Sequence, residues 1–334
     1  MSKLVTIFGG SGFVGRYIAR RLAKQGWRIR VAVRRPEEAL FVRPYGNVGQ
    51  VVPVFCNVRD DDSVRAVTRG ADVVVNCVGV LTENGRNTFQ AVQEEAPERI
   101  ARIAAEEGVA RMVHVSAIGA DPDSPSEYAR TKAAGEAGVR ARFPGAVILR
   151  PSIVFGQDDE FFNRFARMAA RSPVLPVVGG NTRFQPVFVD DVAKAAALAV
   201  EGKAAPGIYE LGGPDVNTFS VLMREMLDVI LRRRLIVNVP FGLARLMASG
   251  FTVLRFLSLG LFTPPLTRDQ VENLRSDNIV ADGARGFAEL GIQPKSMEAI
   301  LPDYLWRFRP TGQYDAIKAS AKNIKRSGDR ASIS

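Results

Sequence analysis

Residues 9–15 read Gly-Gly-Ser-Gly-Phe-Val-Gly, between the apolar run LVTIF (4–8) and the segment GFVGRYIARRLAKQGW (12–27), whose Val14, Ile18 and Leu22 recur at helical spacing. Glycines at 9, 12 and 15 permit a tight turn, a close approach of backbone to a ligand, and close packing of helix on strand. The helix then points unpaired N–H groups and a positive dipole end at whatever lies over the turn. A glycine pattern alone is weak, but at the first strand-to-helix junction it is specific for a pyrophosphate. The expected contacts are Gly9, Ser11, Gly12, Phe13, Val14 and Gly15, with Arg16 next to them.

The rest of the first half repeats the same alternation. Apolar strands are expected at 28–33, 50–56, 72–78, 111–117 and 146–156, with helical segments at 61–70 and 92–107 between them. Near-continuous Val/Ile strands alternating with helices imply βαβ units and a parallel sheet covered on both faces. The fold class is therefore α/β, a doubly wound parallel Rossmann sheet with a smaller C-terminal α/β subdomain. The spacing places the Rossmann domain at 1–205, the subdomain at 206–314 and a basic, extended tail at 315–334. Within the subdomain, 219–235 reads as a basic amphipathic helix ending in Arg232, Arg233 and Arg234.

The end of the second strand bears on the choice of nucleotide. An acid there would bind a ribose 2′-OH, but this strand ends Val33-Arg34-Arg35-Pro36. Arginine suits a 2′-phosphate, which it matches in a bidentate way, so NADPH (or NADP⁺) is expected rather than NAD. Arg16 would add a second positive group.

Composition narrows the other possibilities. Lys and Arg exceed Asp and Glu by 45 to 35, a formal charge of +10 that attracts polyanions in general. No interleaved aromatic and basic pattern and no zinc-finger spacing is present, so no nucleic-acid partner is expected. Two cysteines, Cys56 and Cys77, both in apolar runs, argue for a reducing compartment and against a disulfide scaffold. The single histidine, His114, rules out a multi-histidine metal site and reads as a strand residue without a role. The N-terminus enters a strand directly, and no run reaches about 18 apolar residues; neither a signal peptide nor a transmembrane helix is expected.

After the fifth strand comes Tyr128-Ala-Arg-Thr-Lys132, an i,i+4 pair on one helical face. An ammonium beside a phenol would lower the phenol's pKa and equip it for acid–base work. The preceding Ser124-Pro125-Ser126-Glu127 reads as a capping box with proline at the first helical position.

Together, Gly9/Gly12/Gly15, NCVG (76–79), Tyr128/Lys132 and LRPSIVFG (149–156) resemble the short-chain dehydrogenase/reductase superfamily, extended or atypical branch. The resemblance implies that Lys132 holds the nicotinamide ribose. It implies too that Asn57 and Val58 flank the adenine, that Cys77, Val78 and Gly79 line the adenosine and pyrophosphate, and that Pro151 to Ile153 line the nicotinamide end. Active members place a hydroxyl beside the tyrosine. Here the segment is Val115-Ser116-Ala117-Ile118-Gly119, and the position falls on Ser116 or, in another register, on Ala117 or Ile118, which carry none. Tyr128, Lys132 and Ser116 are thus vestigial catalytic candidates.

Five further stretches resemble one branch of that superfamily, the NADPH-binding accessory subunits of respiratory complex I, in a bacterial form. They are FVRPYGNVGQV (41–51), SPSEYARTKAAGE (124–136), FPGAVILRPSIVFGQDDEFFNRFA (143–166), QPVFVDDVAKA (185–195) and TRDQVENLRSDNIV (267–280). The resemblance reaches to about Tyr314. It implies a non-catalytic subunit of the NADH:quinone oxidoreductase with a structural NADPH, on the peripheral arm near the membrane, at the cytoplasmic face of the inner (plasma) membrane. Its partners would be other complex I subunits of the peripheral arm and membrane junction. One feature of the residues agrees: in 241–259, Arg245, Ser249, Thr252 and Arg255 fall in one sector at about 100° per residue, and most of the remainder is apolar. Such a segment lies in a lipid interface, on an apolar partner or in an ordinary core, so lipid contact through 238–266 stands beside plain packing. The alternatives are a soluble NADPH-dependent reductase, epimerase or dehydratase using Tyr128, and an NADPH-responsive regulator.

Overall fold

The computed structural model describes residues 3–257 and 266–312. The first run forms β1 (Leu4–Phe8), buried at every position, and the glycine turn leads into α1 (Phe13–Lys24). There follow β2 (Arg28–Val33), a 3₁₀ stretch (Pro36–Tyr45), β3 (Val51–Phe55), α2 (Asp61–Thr68) and β4 (Val73–Asn76). A π-helical turn (Gln90–Glu95) runs into α3 (Ala96–Glu106), then come β5 (Arg111–Val115), α4 (Glu127–Arg142) and β6 (Val147–Pro151). After β7 (Val154–Phe155), α5 (Phe162–Arg171), β8 (Val174–Val178), β9 (Arg183–Phe184) and β10 (Val187–Phe188), α6 (Val189–Val200) leads to β11 (Gly207–Leu211). The chain continues through β12 (Asn217–Thr218), α7 (Phe219–Val229), β13 (Leu235–Val239), α8 (Phe241–Leu257), α9 (Arg268–Asn273) and α10 (Met297–Leu305).

Seven strands form one parallel sheet in the order β11-β6-β5-β4-β1-β2-β3. One face carries a core of Val5, Ile7, Ile18, Leu22, Val31 and the alanines of α6; the other packs Phe8, Val74, Ile100, Ile103 and Met112 under α2 and α3. Burial on both sides explains why the strands read as unbroken apolar runs. The winding reverses between β1 and β4, so their carboxyl ends open a crevice where such sheets bind ligands. At the β3 edge, Cys56 donates to Val33, and Pro53, out of phase with it, faces outward where its missing N–H breaks no ladder bond.

A separate core gathers Phe155, Phe162, Leu175, Phe184, Phe219, Met226, Leu301 and Tyr304, with Phe161 stacked on Phe219 at 5.4 Å between centroids. Two sequence expectations change here. The boundary at 205/206 does not separate the two bodies: β11 belongs to the main sheet, paired with β6, while residues from 155 onward already build the second core. The helix expected over 219–235 ends at Val229; Leu231 is left-handed (φ 54°), and the β-branched run after it pairs as β13 with β8. Arg232 and Arg234 therefore pack rather than line a helix, donating to the carbonyls of Phe308 and Ala169.

α8 buries Ala244 and Ala248 against Val271 and leaves Leu243, Leu246 and Met247 exposed. Of its polar residues Ser249 meets α9, where Arg268 donates to the Ser249 hydroxyl at 2.8 Å, and Arg245 is exposed. The side chains of Thr252 and Arg255, residues 258–265 and the tail 313–334 lie outside the described residues.

Candidate nucleotide-binding site

The glycine turn is built by contacts that exclude side chains. Gly9 (φ +72°) donates to Ala32 at 3.0 Å, and Gly12 donates to Gly9 at 2.9 Å. A Cβ on Gly15 would stand 2.4 Å from the Gly9 carbonyl oxygen and 2.8 Å from Gly10 Cα. One on Gly9 would meet the Cys77–Val78 peptide at 3.2 Å, so the turn after β1 rests directly on the turn after β4. That second turn is held by Asn76, which accepts from the Val78 N–H at 3.0 Å and contacts His114 Nδ1 at 3.1 Å.

The arginines differ in what they do. Arg16 folds back over the turn, donating to Ser11 O at 3.1 Å and Gly12 O at 3.3 Å, pairing with Asp158 at 3.1 Å and stacking on the Phe41 ring. Arg34 and Arg35 stand exposed at the carboxyl end of β2; Arg35 pairs with Glu38 at 2.8 Å in an exposed contact that holds little energy. Asn57 and Val58 follow β3, where the Asn57 N–H donates to Ser63 Oγ at 2.9 Å.

Tyr128 and Lys132 meet different surroundings despite sharing one helical face. Burial and the nearby Asp269 carboxylate push the Tyr128 hydroxyl up to about 12. Lys132 is not among the groups acting on it: the tyrosine ring meets Phe89 edge-on at 5.9 Å, while the ammonium lies 3.4 Å from where a Cβ on Gly79 would be. Burial brings Lys132 down to about 8, against the opposing pull of Glu136. Ser126, not Ser124, caps α4, so Pro125 lies before the helix and not at its first position: the Ser126 hydroxyl accepts from Ala129 and donates to Asp269 at 2.9 Å. Ser116 is buried with no partner for its hydroxyl, and Ile118 donates its N–H to Pro151 at 3.0 Å. Ile153 packs toward the second core.

Four residues escaped sequence reasoning. Asp269 accepts from both Ser126 and the Glu127 N–H (2.7 Å), at the N-terminus of the helix that carries Tyr128. Asn278 accepts from Ser152 Oγ at 2.7 Å and donates to the Ile118 carbonyl at 3.3 Å, tying the loops after β5 and β6. Glu136 and Arg150 form a buried pair beside Lys132. The stretch 267–280 had stood out as a motif, but no local rule tells where it docks.

Of the cysteines, Cys56 is buried and Cys77 is partly buried just beyond β4; both are free thiols. His114 is buried, and burial together with Lys132 lowers its pKa to about 3. It stays neutral when folded, so the unfolded state binds the extra proton below about 6.5 and stability falls with pH from there. At pH 5 the loss is about 2 kcal/mol. Urea unfolding at pH 7 and pH 5 checks this: His114→Asn should flatten the difference by that amount, and an unchanged difference would place the acid sensitivity elsewhere.

The profile of the NAD dependent epimerase/dehydratase family matches residues 5–212. The chain belongs to this family. Over 92% of its length it is 36% identical to the NADH dehydrogenase [ubiquinone] 1 alpha subcomplex subunit 9, mitochondrial, of Arabidopsis thaliana, covering 79% of that protein. Over 71% it is 33% identical to the ceramide reductase of Caulobacter vibrioides, covering 74% of that protein. In structure it resembles DesIV, the dTDP-glucose 4,6-dehydratase of Streptomyces venezuelae, with a TM-score of 0.69 over 93% of this chain and 98% of that one at 20% identity. This member of the family keeps the parts a nicotinamide dinucleotide needs. The side-chain-free turn at Gly9–Gly15 leaves backbone open to a pyrophosphate, the Ser116 hydroxyl is buried without a hydrogen-bond partner among the described residues, and Lys132 is buried close to Gly79. No cluster of three or more His, Cys, Asp or Glu suited to a metal occurs among the described residues.

Proposed function

We propose that this chain is a non-catalytic accessory subunit of a respiratory NADH:quinone oxidoreductase, carrying an NADPH that is held rather than consumed. The observation that carries the reading is the similarity to the alpha subcomplex subunit 9, which spans 317 residues and so continues well past residue 212, where the epimerase profile ends. Tyr128 supports it: a phenol pushed up to about 12 and faced by Asp269 is poorly set for proton transfer near neutral pH. In this reading Gly9 to Gly15 cradle the pyrophosphate, the exposed Arg34 and Arg35 meet a 2′-phosphate, Arg35 by exchanging its contact with Glu38, Asn57 and Val58 flank the adenine, and Cys77 to Gly79 line the adenosine. Ser116, Tyr128, Lys132, Pro151 and Ile153 surround the nicotinamide end. Bound, the nucleotide could supply hydride; the chain's own residues orient it and exclude water.

The docking face of this reading is the second body. Leu243, Leu246 and Met247 of α8 are exposed, as are Val174, Leu235 and Val237 on the outer face of the β8/β13 ribbon. Exposed apolar patches of this kind mark partner or lipid contacts. No described helix is long and apolar enough to cross a membrane. The placement proposed is peripheral, at the cytoplasmic face of the membrane, with 238–266 at the junction. Affinity purification of the tagged chain from membranes in mild detergent tests it: stoichiometric recovery of the respiratory dehydrogenase is expected, and recovery of the chain alone from the soluble fraction would overturn it.

A second reading, an NADPH-dependent reductase, is favoured by the similarity to a ceramide reductase together with the retained Tyr128 and Lys132. Tyr128→Phe separates the two. A subunit should keep NADPH binding and quinone reductase activity within about twofold, whereas a reductase should lose NADPH oxidation by roughly 100-fold or more.

A further inference from the structure

Behind Lys132 runs a buried chain of alternating charge that the glycine turn and the tyrosine do not account for. Glu136, one turn along α4 and 3% exposed, is gripped by Arg150 of β6 through three contacts: Nε to Oε1 at 2.9 Å, Nε to Oε2 at 3.1 Å and Nη2 to Oε2 at 2.6 Å. Arg150 reaches Glu210 of β11 at 3.4 Å, and Glu210 accepts from the Ala281 N–H at 2.9 Å. Lys132, Glu136, Arg150 and Glu210 balance to zero, two cations against two carboxylates. Without Glu136 the chain would leave two cations facing each other through a low-dielectric interior.

We propose that Glu136, clamped by Arg150, is the positioning residue that keeps the Lys132 ammonium charged and seated against Gly79, and so sets how tightly the chain holds the nicotinamide ribose. The proposal rests on the nucleotide reading of the site. Its geometric basis is that Lys132 and Glu136 lie one turn apart on α4, both buried, and that the Glu136 carboxylate is fixed from the opposite side by a fork that cannot rotate away. The other groups facing the ammonium offer no charge. Burial pushes the Cys77 thiol up to about 12 and holds the His114 imidazole neutral, and Gly79 presents only backbone. Lys132 itself sits near 8, within reach of ordinary working pH. A buried amine loses its proton, and its hold on a ribose hydroxyl, once its counter-charge is removed.

The test is the pH profile of NADPH binding to the full chain, freed of nucleotide over charcoal and followed by NADPH fluorescence between pH 7 and 9.5. The 2′-phosphate is fully ionised there, its second pKa being about 6. Affinity should weaken as pH rises through about 8, where Lys132 discharges. Glu136→Gln should move the break down by about one pH unit and so weaken binding roughly fivefold at pH 8 and close to tenfold by pH 9. Glu136→Asp should return the break toward its original position, and Lys132→Met should bind weakly with no break. A merely structural role for Glu136 would change the fraction of competent protein, read from the fluorescence amplitude, but not the position of the break. A Glu136→Gln profile superimposable on that of the unaltered chain overturns the proposal alone. No NADPH binding by the unaltered chain at any pH overturns the nucleotide reading and the proposal with it.

Discussion

Replacing Arg150 with methionine is expected to lower the free energy of unfolding by about 3–5 kcal/mol, the usual cost of stripping a buried carboxylate of its partner. The side chain of Glu136 is only 4% exposed and that of Arg150 20%, so water cannot take over the three hydrogen bonds that the guanidinium supplies. Glu210 would lose its contact too, but it keeps the Ala281 N–H and costs less. Changing both Glu136 and Arg150 to methionine should recover most of the loss, because two apolar side chains of similar volume need no partners. Urea unfolding of the single and double variants measures both numbers. A single-variant loss under about 1 kcal/mol would mean that Glu136 takes up a proton or reaches solvent, and that the pair is not the buried clamp described.

The second large effect is expected at the glycine turn. Gly15→Ala places a methyl group 2.4 Å from the Gly9 carbonyl oxygen and 2.8 Å from Gly10 Cα, and both obstacles are backbone that cannot swing aside. The first turn of α1 must then lift away from the loop, withdrawing the N–H groups that would meet a pyrophosphate. NADPH affinity should fall at least about 100-fold, equivalent to about 2.7 kcal/mol, while the overpacking costs roughly 1–3 kcal/mol of stability. Gly12→Ala serves as the comparison, since its Cβ would meet only the Gly9 carbonyl oxygen, at 3.1 Å. Fluorescence titration of the folded variants decides. A Gly15→Ala chain that still binds NADPH as tightly as the original would place the nucleotide elsewhere.

Reading the chain one residue at a time reached some of this and not the rest. The glycine turn, the strands of the parallel sheet and the helices between them were legible because each is set by neighbours within a turn or a strand: Gly9, Gly12 and Gly15 by the room they leave, β1 and β4 by unbroken apolar runs. The Tyr128–Lys132 spacing was legible as well, but its meaning was not. A helix places the two residues on one face, and only the packing around that face sends the ammonium to Gly79 and the phenol to Phe89 and Asp269. The hydrogen bond from Ser126 to Asp269 spans 143 positions, and that from Ser152 to Asn278 spans 126. No periodicity connects residues so far apart, because the partner is chosen by which surfaces remain to be covered once the sheet has formed.

The same division holds for α8. Spacing alone put Arg245 and Ser249 on one side and apolar residues on the other, which fixes an amphipathic helix but not the direction it faces. The fold set Ser249 against Arg268 of α9 and buried Ala244 and Ala248, while Leu243, Leu246 and Met247 stay outside. Local sequence thus determined the elements, the glycine turn and the charges available near it. Tertiary structure decided which charges are buried together, which way α8 points and what lies next to Lys132, because burial and the fields inside a protein depend on distance in space and not on separation along the chain.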